Sequence, residues 1–293
     1  MKVEISNPDK VLFPEAGVTK ADLASYYERI AESMLPHLRQ RPMSMQRFPD
    51  GVEESGFFHK DVPDHFPDWI QRVRIRKRGG SITQAIVRNA DTLAYLADQA
   101  CITPHVWLAR ADRLERPDRL VFDLDPSRED FGAVRAAARE LGALLNELGL
   151  PRFAMVTGSR GIHVWVPLRR RAGFDEVRAF ARGVAAALER RHPDLVTTAQ
   201  RKRKRGDRIF VDVMRNAYAQ TVVPPYAVRA KPQAPVATPI RWDELSDSRL
   251  RPDRWTTRTL FRRISRTSNP WAALARSARA LGEPARRLRS LDE

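Results

Sequence analysis

The chain has 293 residues, with 52 Lys and Arg against 36 Asp and Glu and a formal net charge of +16. A chain of this length can bury a sizeable core in one large domain or two intimate modules. Its single cysteine, Cys101, excludes an internal disulfide and a cysteine cluster for zinc, and its flank of apolar helical spacing suits buried filler. The basic excess points to a polyanionic partner, nucleic acid before membrane, the competing reading being a solubility charge. No signal-peptide-like apolar run opens the sequence and no stretch approaches a membrane span, so the expectation is a soluble, cytoplasmic protein without membrane contact.

Along the chain, Thr19–Lys20–Ala21–Asp22 has the form of a capping box, and Leu23, Tyr27, Ile30 and Met34 follow at helical spacing. The spacing predicts an amphipathic helix ending near Pro36. Lys10 and Lys20 flank the loop before it, and two lysines in a loop are ordinarily just solvated. Phe57 and Phe58 are neighbours on a predicted strand, so one can face the core while the other is presented as a base-stacking platform; core packing of both is the other reading. Arg72, Arg74, Arg76 and Arg78 alternate with Val73, Ile75 and Lys77, and Gly79–Gly80 signals a hairpin returning along 81–87. Such a ribbon suits a phosphate backbone or a merely solvated sheet face. A helix over 89–100 and a strand over 102–108 complete this part.

The most informative stretch is Leu120–Val121–Phe122–Asp123–Leu124–Asp125–Pro126. On a strand Asp123 and Asp125 share a face while Phe122 and Leu124 take the other. Alone, an Asp-x-Asp reads as surface solubility. Here the apolar flank predicts a buried strand, Pro126 ends it, and two adjacent carboxylates favour a hard divalent cation between them. A long helix from Phe131 to Leu148 follows, closed by Gly149 and Pro151. Next come a strand Phe153–Val156, a tight turn Thr157–Gly158–Ser159–Arg160–Gly161, and a strand Ile162–Pro167 carrying His163. The turn can aim backbone N–H groups at an anion, with Arg160 and the hydroxyls adding donors. His163 is read as a phosphate ligand, against a satisfied structural histidine.

After a helix over 174–191, Arg201–Lys202–Arg203–Lys204–Arg205 forms an unbroken basic run ending at Gly206 and read as an exposed loop. A strand Arg208–Arg215 follows, with Asp212 alone in an apolar run. An unpartnered buried carboxylate is costly, and a metal shared with Asp123 and Asp125 would offset that cost. Residues 224–239 are Pro-rich and extended and hold Arg229 and Lys231. The last fifty residues, with Trp242, Trp255, Phe261 and Trp271, read as short helices wrapping the core. Three acids binding two divalent ions suit in-line displacement at phosphorus. Nucleases share that chemistry, and the Gly/Ser/Arg/His turn tips the balance to nucleotidyl transfer.

Residues 7–14 (NPDKVLFP), 51–60 (GVEESGFFHK), 122–126 (FDLDP), 158–163 (GSRGIH), 211–217 (VDVMRNA) and 226–230 (YAVRA) resemble, in order, the polymerase domain of bacterial ATP-dependent DNA ligase D, a member of the archaeo-eukaryotic primase superfamily. The resemblance runs from about residue 4 to 275. It implies an α+β fold, with an N-terminal α/β module over about 1–110 packed on an RRM-like catalytic module of mixed or antiparallel sheet over 111–240, and C-terminal helices over 241–293. It implies primer extension and gap filling with NTPs or dNTPs at DNA breaks in non-homologous end joining, with Ku and a DNA ligase as partners and Mn²⁺ or Mg²⁺ as cofactor in a two-metal site.

By position, the resemblance makes Asp123, Asp125 and Asp212 the catalytic metal ligands, and sets His105, Thr157, Ser159, Arg160, His163, Arg229, Phe57 and Phe58 around the nucleotide and template base. Lys10 and Lys20 would recognise a downstream 5′-phosphate, and Arg201 to Arg205 the template end. Two positions depart from the family pattern: Thr157 stands where a serine is usual, and Gln46 where a nucleotide-contacting lysine is usual. The alternatives are a stand-alone primase-polymerase for gap or excision repair and, in another class, a non-catalytic basic nucleic-acid-binding module.

Overall fold

The computed structural model describes residues 3–77 and 79–291, so Arg78 of the basic ribbon lies outside the described residues. The chain forms two compact units. One holds the chain up to Asp112 with Thr221–Ala237 and Trp255–Arg263; the other holds Arg113–Gln220, Thr238–Arg254 and the chain from Ile264.

In the first unit, strands β1 (Val11–Phe13) and β2 (Val18–Thr19) lead into helix α1 (Lys20–Leu38). Thr19 caps α1 as expected, its hydroxyl accepting from the Asp22 N–H. The helix runs through Pro36 instead of ending there. Proline removes one backbone donor only, and the Arg39 N–H still reaches the Leu35 carbonyl at 2.9 Å, so the last turn survives. Strands β3 (Pro42–Arg47), β4 (Phe57–His59), β5 (Arg72–Lys77) and β6 (Gly80–Ile86), helix α2 (Ala90–Asp98) and strand β7 (Cys101–Trp107) follow. Their sheet runs Thr221–Val222, β7, β3, β6, β5, with β4 also on β3. Cys101 is buried at the start of β7, and burial pushes its thiol pKa up to about 12. The segment Thr221–Ala237 belongs to this unit, whereas the resemblance groups it with residues 111–240. Thr221–Val222 extends the sheet at β7, the Tyr26 hydroxyl donates to the Tyr226 carbonyl, and the Tyr27 hydroxyl accepts the Val228 N–H.

The second unit is built on strand β8 (Arg119–Asp125), helix α3 (Phe131–Glu147), strands β9 (Phe153–Val156) and β10 (Ile162–Pro167), helix α4 (Phe174–Arg191), and strands β11 (Val196–Thr197) and β12 (Ile209–Asp212). Spatially the sheet runs β11, β12, β8, β10, β9 and then Thr238–Ile240. The core β8–α3–β9–β10–α4–β12 is thus a βαββαβ unit with its first strand between its last and its third, the RRM-like order. Leu120, Phe122 and Leu124 of β8 pair with Val166, Val164 and Ile162 of β10, and this apolar face is covered by α3 and α4. On the other face Trp271 packs against Trp165, ring planes tilted by 60°, and donates its indole N–H to the Ala154 carbonyl. The polar residues of β8 and β10 begin just beyond this aromatic cover. Among the described residues no helix is long and apolar enough to cross a membrane.

Candidate active site

Register gathers the candidate residues of the second unit. Asp212 of β12 pairs directly with Asp123 of β8, and Asp123 pairs in turn with His163 of β10. Directly opposed residues share a face. Asp212, Asp123 and His163 therefore form a row across three strands, and Asp125 stands two residues further along β8 on the same face. β8 ends at Asp125, before Pro126, as expected. β12 also ends at its acid and does not continue to Arg215. The Asp212 carboxylate accepts the Met214 N–H at 2.7 Å, turning the chain into a 3₁₀ turn, Met214–Asn216.

Asn216 then takes over the role of the missing strand. Fully buried, it accepts the Val121 N–H and donates to the Val121 carbonyl, at 2.9 and 2.7 Å. Its amide replaces a backbone ladder pair and holds β8 beside the end of β12. Nothing in the sequence marks it apart from other polar residues after a strand.

The Thr157–Gly161 turn lies against the acids. A Cβ on Gly161 would sit 2.3 Å from the Leu124 carbonyl oxygen, so only glycine lets the turn approach β8 between its two aspartates. Thr157 is buried, and its hydroxyl closes the turn by accepting the Gly161 N–H at 3.2 Å. Its position explains a hydroxyl residue there without any ligand. Ser159 is half-buried and Arg160 exposed. Arg160 Nη2 lies 3.1 Å from Asp125 Oδ1. His163 is buried with Nε2 3.4 Å from Asp123 Oδ1, while its Nδ1 is buried without a hydrogen-bond partner.

The basic run divides. Arg201 to Lys204 are exposed, with Lys202–Lys204 in a 3₁₀ turn. Arg205 is not part of that exposed loop. It is buried, donates to the Ala199 and Gln200 carbonyls, lies 3.8 Å over the Phe210 ring, and brings Nη1 to 3.9 Å from Asp125. Burial raises the Asp125 pKa, Arg160 lowers it, Asp123 raises it and Arg205 lowers it, with burial the largest influence. Among the described residues no group of three or more His, Cys, Asp or Glu is gathered tightly enough to hold a metal as it stands, Asp125 being paired with the two arginines.

The first unit carries the remaining candidates. Phe57 and Phe58 are both exposed, 46% and 51%, so neither is core, against the expectation that one strand face would bury its ring. Each leans on a half-buried neighbour: Arg47 lies over Phe57, and the Phe58 and His105 rings meet edge to face at 5.0 Å. Gln46 pairs with Phe58 on β4. Arg229 is half-buried, its N–H bonded to the Pro235 carbonyl. Lys10 is exposed and 3.0 Å from Asp50. Lys20 is instead buried, bonded to Ser6 and paired with Asp98 at 3.3 Å. The N–H groups at the start of α1 are taken as well, Lys20 by the Lys10 carbonyl, Ala21 by the Pro8 carbonyl and Asp22 by Thr19. Arg72, Arg74 and Arg76 are exposed on β5 while Ile75 is buried, the alternation the sequence predicts.

An RRM-like sheet with a row of carboxylates on its helix-free face, beside a glycine-rich basic turn, defines a primase-type nucleotidyltransferase. The family model of the LigD primase-polymerase domain matches residues 19–271, and the chain belongs to that family. It is similar to the multifunctional non-homologous end joining protein LigD of Mycolicibacterium smegmatis, 37% identical over 253 residues that cover 85% of this chain and 33% of the relative. It is also similar to the bifunctional non-homologous end joining protein LigD of Bacillus subtilis, 30% identical across 92% of this chain and 44% of the relative. The chain thus spans less than half the length of these curated relatives. Among solved structures, the polymerase domain from Mycobacterium tuberculosis ligase D in complex with DNA superposes with a TM-score of 0.88 at 33% identity, over 94% of this chain and 99% of that one.

Proposed function

We propose that this domain is a template-directed polymerase that extends primers and fills gaps at DNA breaks with NTPs or dNTPs, in end joining alongside Ku and a DNA ligase. The observation that carries the reading is the register of Asp212 and Asp123, with Asp125 on the same face. Their donors are carboxylate oxygens throughout, the set that suits Mg²⁺ and Mn²⁺. Divalent ions held there would activate a 3′-hydroxyl and offset charge on the departing pyrophosphate. Arg160 and the His163 imidazole, set on the turn side of the acids, hold the triphosphate, with Ser159 as a further donor. Arg160 and Arg205 meanwhile keep Asp125 compensated in the resting site.

Phe57 and Phe58 supply exposed ring faces for bases, with His105 and Arg229 as further nucleotide contacts, and Arg201 to Lys204 supply solvated cations for a template strand. Lys10 is the better candidate for a downstream 5′-phosphate, since the Lys20 ammonium is committed to Asp98. Incorporation of a labelled nucleotide on a gapped duplex tests the reading. It should require Mn²⁺ or Mg²⁺ and follow the template base. Duplex binding without any metal-dependent incorporation would favour the non-catalytic nucleic-acid-binding alternative.

A further inference from the structure

A pocket of about 440 Å³ opens along the outer edge of β12 within the second unit, lined among others by Arg178, Arg182, Gln200, Phe210, Asp212 and Met214. β11 pairs only with Ile209 and Phe210, so beyond Phe210 no described strand covers the outside of β12. Arg178 and Arg182 are one turn apart on α4 and project on the same side. Neither is paired with a carboxylate among the described residues. Arg178 Nη2 meets only the Met214 thioether, at 3.6 Å, and its Nε is buried without a hydrogen-bond partner. Two uncompensated guanidiniums beside apolar walls call for an amphipathic anion.

The position of the pocket narrows the anion. Across the sheet the order is Asp212, Asp123, His163, and the glycine-rich turn leads into β10 at the His163 end. With a triphosphate held at that turn, in-line attack on its phosphorus comes from the opposite side. That side is β12, where Asp212 is at once a member of the carboxylate row and a wall of the pocket. We infer that this pocket seats a phosphodiester of the primer strand close to its 3′ end, with Arg178 and Arg182 pairing with the phosphate and Phe210 and Met214 against the sugar. The inference rests on the polymerase reading and adds the route by which the attacking strand reaches the acids.

The test is a binding cycle read without turnover, by fluorescence anisotropy of a labelled primer-template in the absence of nucleotide. Neutral methylphosphonates replace, one at a time, the first three linkages from the primer 3′ end. In the wild-type chain one of the three should weaken binding about tenfold, the size of a lost charge-assisted contact. In the Arg178→Gln, Arg182→Gln double variant the unmodified primer should bind about tenfold more weakly and the methylphosphonates should make no further difference. Arg182→Gln alone, at an exposed position, keeps the fold and should show part of the same loss. A methylphosphonate penalty equal in variant and wild type, or a double variant that binds the unmodified primer normally, would overturn the assignment. Failure of the polymerase reading would instead appear as absent incorporation by the wild type, which this cycle does not measure.

Discussion

The two units carry polar residues in opposite ways. In the second, Asp212, Asp123 and His163 are set by strand register into one row, and the opposite face is filled by Leu120, Phe122 and Leu124 under two helices. In the first, the candidates are scattered over a helix start, a three-residue strand and a loop, and each is governed by its own neighbours. Lys20 is locked to Asp98, whereas Phe57 and Phe58 keep about half their surface in solvent, each with one ring or guanidinium neighbour. A row fixed by backbone pairing holds groups at the constant spacing that chemistry needs. Exposed side chains on short elements suit recognition of a partner that arrives in many sequences. The difference separates groups whose loss should stop the reaction from groups whose loss should weaken binding or merely loosen the fold.

The largest effect should follow substitution in the row. Asp123→Ala or Asp212→Ala should cut nucleotide incorporation by at least about 10³-fold, roughly 4 kcal/mol of barrier. Duplex affinity should stay within about twofold, because it comes from basic residues elsewhere. Near-normal incorporation by either variant would remove the row from the chemistry.

The two lysines of the first unit should then part company. Lys20→Met leaves Asp98 buried without its cation and should cost about 3 kcal/mol in urea unfolding. Lys10→Ala should cost less than about 0.5 kcal/mol, its partner being exposed, and should instead reduce the preference for a 5′-phosphate over a 5′-hydroxyl on gapped DNA. Should Lys20→Met unfold normally while losing phosphate preference, the ion pair has been given the wrong role.

Asn216 belongs to the second unit but not to its chemistry. Asn216→Leu strands both polar groups of Val121 and should lower stability by about 2–3 kcal/mol. Isosteric Asn216→Asp keeps the acceptor but loses the amide donor, and its midpoint should fall between the two. Smallest is the effect at the stacking platform. Phe57→Ala should change unfolding by less than about 0.5 kcal/mol yet weaken single-stranded template binding by about 1 kcal/mol. A loss of stability there would mean the ring is packed after all.

What could be read in advance follows the same division. Alternation along one strand is a property of sequence, so the shared face of Asp123 and Asp125, the apolar face opposite and the stop at Pro126 were all legible. Which strand lies beside which is not, since register comes from tertiary pairing; the sequence offered Asp212 as a partner through its cost in an apolar run and through the family resemblance of residues 211–217. Arg205 was hidden inside a run of like residues, where nothing distinguishes the one cation that turns inward onto Phe210. Phe57 and Phe58 misled because alternation predicts one buried face, and β4 is too short and too near the sheet's margin to have one. Asn216, and the Arg178 and Arg182 pocket, depend on elements distant in sequence and left no local trace.

The central claim is that Asp123, Asp125 and Asp212 together bind the divalent ion. Electron paramagnetic resonance of free Mn²⁺, titrated with protein in the presence of a nucleoside triphosphate, measures this without reference to turnover. The wild-type chain should remove the free-ion signal in proportion to its concentration. Asp123→Ala and Asp212→Ala chains, shown to be folded, should bind Mn²⁺ at least about tenfold more weakly, as expected on losing one charged ligand. Equal Mn²⁺ binding by wild type and both variants would contradict the account.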